Sequence, residues 1–235
     1  MKAIILAAGM GNRLGERTRD LPKALVTVAG KPLLEYVLDF LDTPVISEVG
    51  IVTGYQAQVF EKFVREKYPK IRLFHNPQYR EGSILTLKAA RDFLDDDFLL
   101  CNADHIYPRH LFDCLKLPRQ NLSAICDFDR TLVEDDMKVS LDKSRHITRI
   151  DKKLATYQAG YIGMTFCPKA CLPDYWAGAE EALSDRGSKA CVEAILDTLA
   201  PKMPIEILDA SGFGWLEVDN EEDLQKAESR LESHT

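Results

Sequence analysis

The stretch Ala3-Ile4-Ile5-Leu6-Ala7-Ala8-Gly9-Met10-Gly11-Asn12-Arg13-Leu14 decides the reading of this chain. Residues 3–7 form a short apolar run that stops at glycines, which predicts a parallel strand buried on both faces. A glycine-rich turn leaving the C-terminal end of the first parallel strand lies where open α/β sheets bind their ligands. Glycines let backbone N–H groups close on phosphate oxygens, and Arg13 adds a charged fork. The spacing is not the dinucleotide fingerprint, because position 14 is Leu. It is not a P-loop either, because no Gly-Lys-Ser/Thr follows.

Outward from this stretch, strands and helices alternate. Leu33, Leu34, Val37, Leu38 and Leu41 recur three and four apart, predicting a helix over 32–41. A second strand is expected at 49–53 and a second helix at 56–67, with Val59, Phe60 and Phe63 inward. A third strand at 71–74, a third helix at 83–94 and a fourth strand at 98–101 complete the series. This order predicts a doubly wound, mostly parallel Rossmann-like α/β sheet. After about residue 120 the rhythm changes to strands at 123–128, 137–141, 147–150 and 161–166, with helices at 189–199 and 221–233. One domain over 1–235 is expected, its second half a small β-rich insertion or lid with a closing helix.

Composition narrows the function. The chain has 235 residues, 46% hydrophobic and 29% charged, with a formal net charge of −7. That is an ordinary globular balance, and the acidity argues against a nucleic-acid partner. The first apolar run is too short for a secretory signal, and no stretch reaches the roughly 20 apolar residues a membrane helix needs. The six cysteines include no Cys-x-x-Cys pair, so reduced thiols in a cytoplasmic protein are expected. A homodimer is left open.

With Leu21-Pro22-Lys23-Ala24-Leu25 and Gly30-Lys31-Pro32-Leu33-Leu34, the opening stretch resembles the signature of the sugar-phosphate nucleotidyltransferases. The segments 99–107 and 215–224 are most similar to CTP:inositol-1-phosphate and CTP:phosphocholine-type cytidylyltransferases. The resemblance implies transfer of CMP from CTP to a phosphorylated alcohol or polyol, inositol-1-phosphate favoured, with release of pyrophosphate. Phosphocholine, 2-aminoethylphosphonate, uridylyl and thymidylyl variants stay open, as does an inactive nucleotide-binding regulatory protein. The partners implied are small molecules. Leu6, Ala7, Ala8, Gly9 and Gly11 would then bind the nucleotide. Arg13 and Lys23 would be catalytic, taking up charge as the bond at the α-phosphorus changes; such chemistry runs on positioning and electrostatics.

Asp104 follows the strand at 98–101, at the ligand edge of the sheet. Asp219 lies far off in sequence and also suits a helix cap. The resemblance implies that these two aspartates hold Mg²⁺ against the α-phosphate, which is chemically sufficient because magnesium fills its shell with water and phosphate oxygens. On sequence alone, Asp104→Asn is expected to abolish turnover and leave the melting temperature nearly unchanged. Ser83 is a natural cap for the third helix, and the resemblance implies that Asn76, Gly82 and Ser83 read the nucleobase. It also implies acceptor-side roles for His105, for Lys152 or Lys153, and for Tyr161, Trp215 and Glu217. Glu217 is a third candidate for the metal. The acidic runs 95–97 and 134–136 read as solvated surface.

Overall fold

A computed structural model describes residues 1–233. In chain order the elements are β1 (Lys2–Ala7), β2 (Thr27–Val28), β3 (Lys31–Pro32), α1 (Leu33–Leu41), β4 (Glu48–Thr53), α2 (Ala57–Lys67), β5 (Arg72–His75), α3 (Ser83–Lys88), β6 (Phe98–Asn102) and β7 (His105–Ile106). They continue with α4 (Arg109–Leu115), β8 (Ser123–Asp127), β9 (Lys138–Leu141), β10 (Ile147–Asp151), β11 (Ala159–Cys167), α5 (Leu172–Arg186), α6 (Glu193–Leu199), β12 (Glu206–Asp209), β13 (Leu216–Glu217) and α7 (Glu221–Glu232).

Nine strands form one sheet with β1 near its centre, in the order β10-β9-β11-β6-β1-β4-β5, and β8 and β12 join through β11. The four strands β6-β1-β4-β5 are parallel. The apolar runs of β6, β1 and the second half of β4 are buried on both faces, whereas the edge strand β5 is only half-buried. In β1, Ile4 packs with Ile84, Leu87 and Phe93 on one side. Ala3 and Ile5, pointing the other way, pack with Val37, Phe40 and Phe60. The second half is not set apart. Its nine-residue strand β11, buried throughout, pairs antiparallel with β6 and carries the sheet onward to β8 and β9.

Three expected elements differ. The helix over 83–94 stops at Lys88, because Ala90 leaves helical angles and Phe93 turns onto Phe74, ring centroids 5.3 Å apart. The helix over 189–199 begins only at Glu193. Residues 188–192 instead bond to the start of α3, with Gly82 N–H donating to Ser188 O at 2.7 Å and Val192 N–H to Ser83 Oγ at 2.9 Å. In α2 the inward positions are Phe60 and Val64, spaced four apart, while Val59 is 40% exposed. Helices α4 and α5 were not expected. All six cysteines are free thiols, and among the described residues no helix is long and apolar enough to cross a membrane.

Candidate active site

The turn after β1 is shaped by backbone constraints. Gly11 sits in the left-handed region at φ 66°, and a Cβ there would stand 2.8 Å from the Lys23 Cβ. Glycine is therefore required twice over, for its angles and for the approach of the Lys23 stem. Thr18 Oγ1 donates to Gly11 O at 2.9 Å and to Gly15 O at 3.2 Å, closing the turn. Around Gly9 the space is open, with no atom within 4 Å of a would-be Cβ. Leu6, Ala7 and Gly9 line a small cleft with Lys23 and Asp104.

Lys23 is the hub. Its ammonium donates to Asp104 Oδ2 at 2.8 Å and to Asp219 Oδ1, although its side chain is only 12% exposed. Arg13 reaches the other oxygen of Asp219 at 3.1 Å. Two carboxylates nearly 120 residues apart thus converge on one cation at the sheet edge. Asp104 arrives at the end of β6. Asp219 is set by the start of α7, where Asn220 rather than Asp219 is the cap, in a capping box with Asp223. The cap reading of Asp219 is therefore corrected, and its carboxylate is left to the cluster. Burial alone would raise the Asp104 carboxyl, but Lys23 and His105 outweigh it and hold the group well below the ordinary carboxylate range. Lys23 likewise stays above its ordinary value despite burial, because both aspartates favour the ammonium.

His105 fixes Asp104 from behind. Its Nδ1 lies 2.7 Å from Asp104 Oδ1, so with Asp104 ionised that nitrogen carries the proton. The ring is buried and stacked between Tyr107 and Trp215, centroids 5.5 and 5.6 Å away. Gly163, at φ 71° in β11, makes room for it: a Cβ would come within 3.0 Å of the imidazole. Burial pulls His105 down, yet Glu217 and Asp104 raise it above its ordinary value. Burial in turn pushes the Glu217 carboxyl up. The short pairing of β7 with β13 sets Glu217 directly opposite His105.

A cavity of about 110 Å³ adjoins this cluster, and His105, Lys152, Tyr161, Trp215, Glu217 and Asp219 all line it. The residues expected on the acceptor side thus share one cavity. Of the two lysines, Lys152 reaches it. Tyr161 bonds through its hydroxyl to Thr165 Oγ1 and presents its ring. Glu217 faces His105 at 3.9 Å and Arg130 at 3.6 Å, beside the two aspartates rather than between them.

The expected base-reading segment is spent on internal bonds. Asn76 is buried, donating to Thr86 Oγ1 at 3.0 Å and accepting from Gln78 N–H at 2.9 Å. Ser83 is not the cap of α3; Gly82 holds that position, and the Ser83 hydroxyl is taken by Val192 N–H. Gly82 is fixed by packing, since a Cβ there would overlap the Ala190 carbonyl oxygen.

Four further residues have site roles that only the folded structure reveals. Asp127 accepts from Trp215 Nε1 at 2.6 Å and from the Asp129 and Arg130 amides, orienting the indole. Arg130 lies 4.6 Å over the Trp215 ring. Asp135, expected to be solvated surface, binds both Arg13 and Lys152, and Lys138 is a buried ammonium among backbone carbonyls. Only the position of Asp127 at a strand end could have drawn notice.

A cleft that gathers Arg13, Lys23 and Lys152 with Asp104, Asp135 and Asp219 beside the C-terminal ends of parallel strands can hold a polyphosphate together with a divalent metal. The chain is 35% identical over 155 residues to a 2-aminoethylphosphonate cytidylyltransferase of Lancefieldella rimae, covering 64% of this chain and 60% of that one. It is 28% identical over 235 residues to a bifunctional IPC transferase and DIPP synthase of Archaeoglobus fulgidus, covering 99% of this chain and 44% of that one. The aligned part thus spans three-fifths or less of either relative. The solved inositol-1-phosphate CTP transferase from T. maritima shares the fold, with a TM-score of 0.82 and 18% identity over 98% of this chain and 96% of that one. Residues 3–122, just over half the chain, match the MobA-like NTP transferase domain, and the chain belongs to that family.

Proposed function

We propose that this chain is a Mg²⁺-dependent cytidylyltransferase that moves CMP from CTP to a phosphorylated alcohol or polyol, inositol-1-phosphate favoured, and releases pyrophosphate. The observation that carries it is the Lys23 ammonium held between Asp104 and Asp219, with Arg13 on the second oxygen of Asp219. The likeness to the A. fulgidus IPC transferase and to the T. maritima inositol-1-phosphate CTP transferase, along nearly the whole chain, supports CTP and the polyol acceptor.

The donor set fits magnesium: two hard carboxylates already converge on one positive centre, and the ion takes its other ligands from water and phosphate. Among the described residues no cluster of three or more His, Cys, Asp or Glu has metal-site geometry, so Asp104 and Asp219 would be its protein ligands. When bound, the ion would withdraw charge from the α-phosphate oxygens. Lys23 and Arg13 supply fixed positive charge to the triphosphate. His105 locks the Asp104 rotamer by its Nδ1–H, a positioning bond of the kind that orients metal ligands. No general base is needed, because the attacking oxygen of the acceptor phosphate is already anionic near neutral pH. Residues 1–120 would bind the nucleotide, with Leu6, Ala7, Ala8, Gly9 and Gly11 around the phosphates; Asn76, Gly82 and Ser83, held by internal bonds, would shape the base pocket rather than donate to the base. Residues 121–235 would bind the acceptor through Lys152, Tyr161, Trp215 and Glu217.

A second acceptor class has one observation in its favour. The cavity carries Asp135, Asp136, Glu193 and Glu217 beside Asp219, against only Arg130 and Lys152. That surplus of carboxylates suits a cationic headgroup such as choline or an amine. The test crosses four NTPs with inositol-1-phosphate, phosphocholine, 2-aminoethylphosphonate and hexose-1-phosphates, reading pyrophosphate. CTP with inositol-1-phosphate should give the highest rate. A preference for an amine acceptor would select the second reading, and silence with every pair would favour a regulatory nucleotide-binding role.

A further inference from the structure

One carboxylate ties together the cation expected to meet the nucleotide phosphates, Arg13, and the cation expected to meet the acceptor, Lys152. Asp135 Oδ2 lies 3.0 Å from the Arg13 guanidinium, and its Oδ1 lies 3.2 Å from Lys152 Nζ. Arg13 leaves the glycine-rich turn, Lys152 follows β10, and Asp135 sits on the connection between β8 and β9. The contact therefore crosses the mouth of the cavity that Asp135, Lys152 and Asp219 line.

That connection is anchored from below. The Lys138 side chain is buried, and its ammonium donates to the carbonyls of Val133 and Lys152 at 2.8 Å, of Glu134 at 3.2 Å and of Asp136 at 3.4 Å. An ammonium has three protons to give, so four carbonyl oxygens share them and none faces an unpaired charge. Three of the four carbonyls belong to the loop that carries Asp135, and the fourth belongs to Lys152. Lys138 thus sets the loop and the lysine in one frame. The anchor is buried, whereas the Asp135 pairs it presents are exposed, the kind of ion pair that contributes little to stability. A firmly seated loop ending in a weak contact is a latch that a stronger anion can displace.

We propose that Asp135 and Lys138 are positioning residues. Asp135 stands in for substrate phosphate between Arg13 and Lys152 until the phosphorylated substrates arrive, and Lys138 holds Lys152 and the latch loop in register. The inference rests on the reading given above, in which Arg13 meets the triphosphate and Lys152 the phosphorylated acceptor. Two carboxylate oxygens facing two cations reproduce the contacts of a terminal phosphate, which carries more charge and more acceptor atoms. The two residues therefore act in opposite senses on anion binding: Asp135 competes with the incoming phosphate, while Lys138 keeps its binding partner in place.

The test is calorimetric titration of inorganic pyrophosphate into the full chain and its D135N, D135E and K138M variants. It is paired with deuterium uptake by the backbone amides of residues 129–137 in the ligand-free protein. With the competing carboxylate gone, D135N should bind pyrophosphate about threefold to tenfold tighter, the range set by losing two exposed ion pairs. D135E should restore wild-type affinity, and K138M should bind more weakly than wild type. Opposite signs for D135N and K138M exclude a general loosening of the fold, which would move both the same way. Uptake in 129–137 should rise in D135N and return in D135E. Should K138M not fold, the contrast of D135N with D135E decides alone. Unchanged or weaker pyrophosphate binding in D135N, with wild type binding normally, overturns the latch and leaves the nucleotide reading intact. Absence of pyrophosphate binding in every variant, with uptake still rising in D135N, overturns the phosphate reading while the loop contact stands.

Discussion

Replacing Lys23 by Met separates the charge of this residue from its packing, because Met keeps an apolar stem beside Gly11 and removes only the ammonium. The two aspartates that the ammonium joins have side chains 27% and 24% exposed. Deleting one partner of a buried ion pair costs about 3–5 kcal/mol, and the partial access of water to these carboxylates places the expected loss at the lower end, about 3 kcal/mol. For a chain of this size that corresponds to a fall in Tm of roughly 6–12 °C. The assay is thermal unfolding in EDTA, then in Mg²⁺. In wild type the ammonium competes with the metal for Asp104 and Asp219; in Lys23→Met the ion has both carboxylates to itself. Magnesium should therefore raise the variant's Tm more than the wild type's, recovering about 2.7 kcal/mol when the ion is at a hundred times its Kd. A metal-free loss below about 1 kcal/mol, or equal Mg²⁺ shifts in the two proteins, would refute the reasoning that both carboxylates address one cation position.

Further outcomes follow from named contacts. Gly82→Ala should destabilise by about 1–3 kcal/mol in urea unfolding, because the new methyl meets the Ala190 carbonyl in a filled space; a neutral result would show that residues 188–192 are not seated as described. Asp197 is buried and, although burial raises its carboxyl, Arg149, the Ile150 amide and Arg186 hold it below its ordinary value. Its stabilising effect is thus full above the unfolded carboxylate pKa of about 4 and is lost as pH falls through the lower folded value. Asp197→Asn should flatten the acid limb of stability in that window, and an unchanged limb would count against the network. Asp104→Asn should abolish turnover and also lower Tm, since it strips a charge partner from Lys23 and His105; a normal rate would remove Asp104 from the reaction.

That last outcome shows where sequence reasoning ran short. Asp104, Lys23 and His105 were each legible, but the buried bonds that join them were not, so a stability cost was invisible. The parallel half of the fold was readable because strands buried on both faces are continuous apolar runs, and α1 because its leucines recur at helical spacing. Helix α5 is hard to read because only Tyr175 and Trp176, adjacent in sequence, are large on its buried face, and the rest of that face is Gly178, Ala179 and Ala182, which leave little hydrophobic period. The segment 188–192 is turn rather than helix because its bonds run to Gly82 and Ser83, over a hundred residues away, a pairing no local pattern reveals. In the candidate site, Arg13 and Asp104 are marked by their places after parallel strands, whereas the roles proposed for Lys23 and Asp219 come through the family resemblance. Asp135 and Lys138 could not be, because an acidic surface run and a lone lysine take their meaning only from partners brought together by folding.

The most direct measurement is ³¹P NMR of the protein with CTP, inositol-1-phosphate and Mg²⁺. The account predicts that a pyrophosphodiester and free pyrophosphate appear in equal amounts, and that neither forms with Asp104→Asn protein. Unchanged CTP alongside every phosphorylated acceptor, or CTP cleaved to CMP with no diester formed, would contradict it.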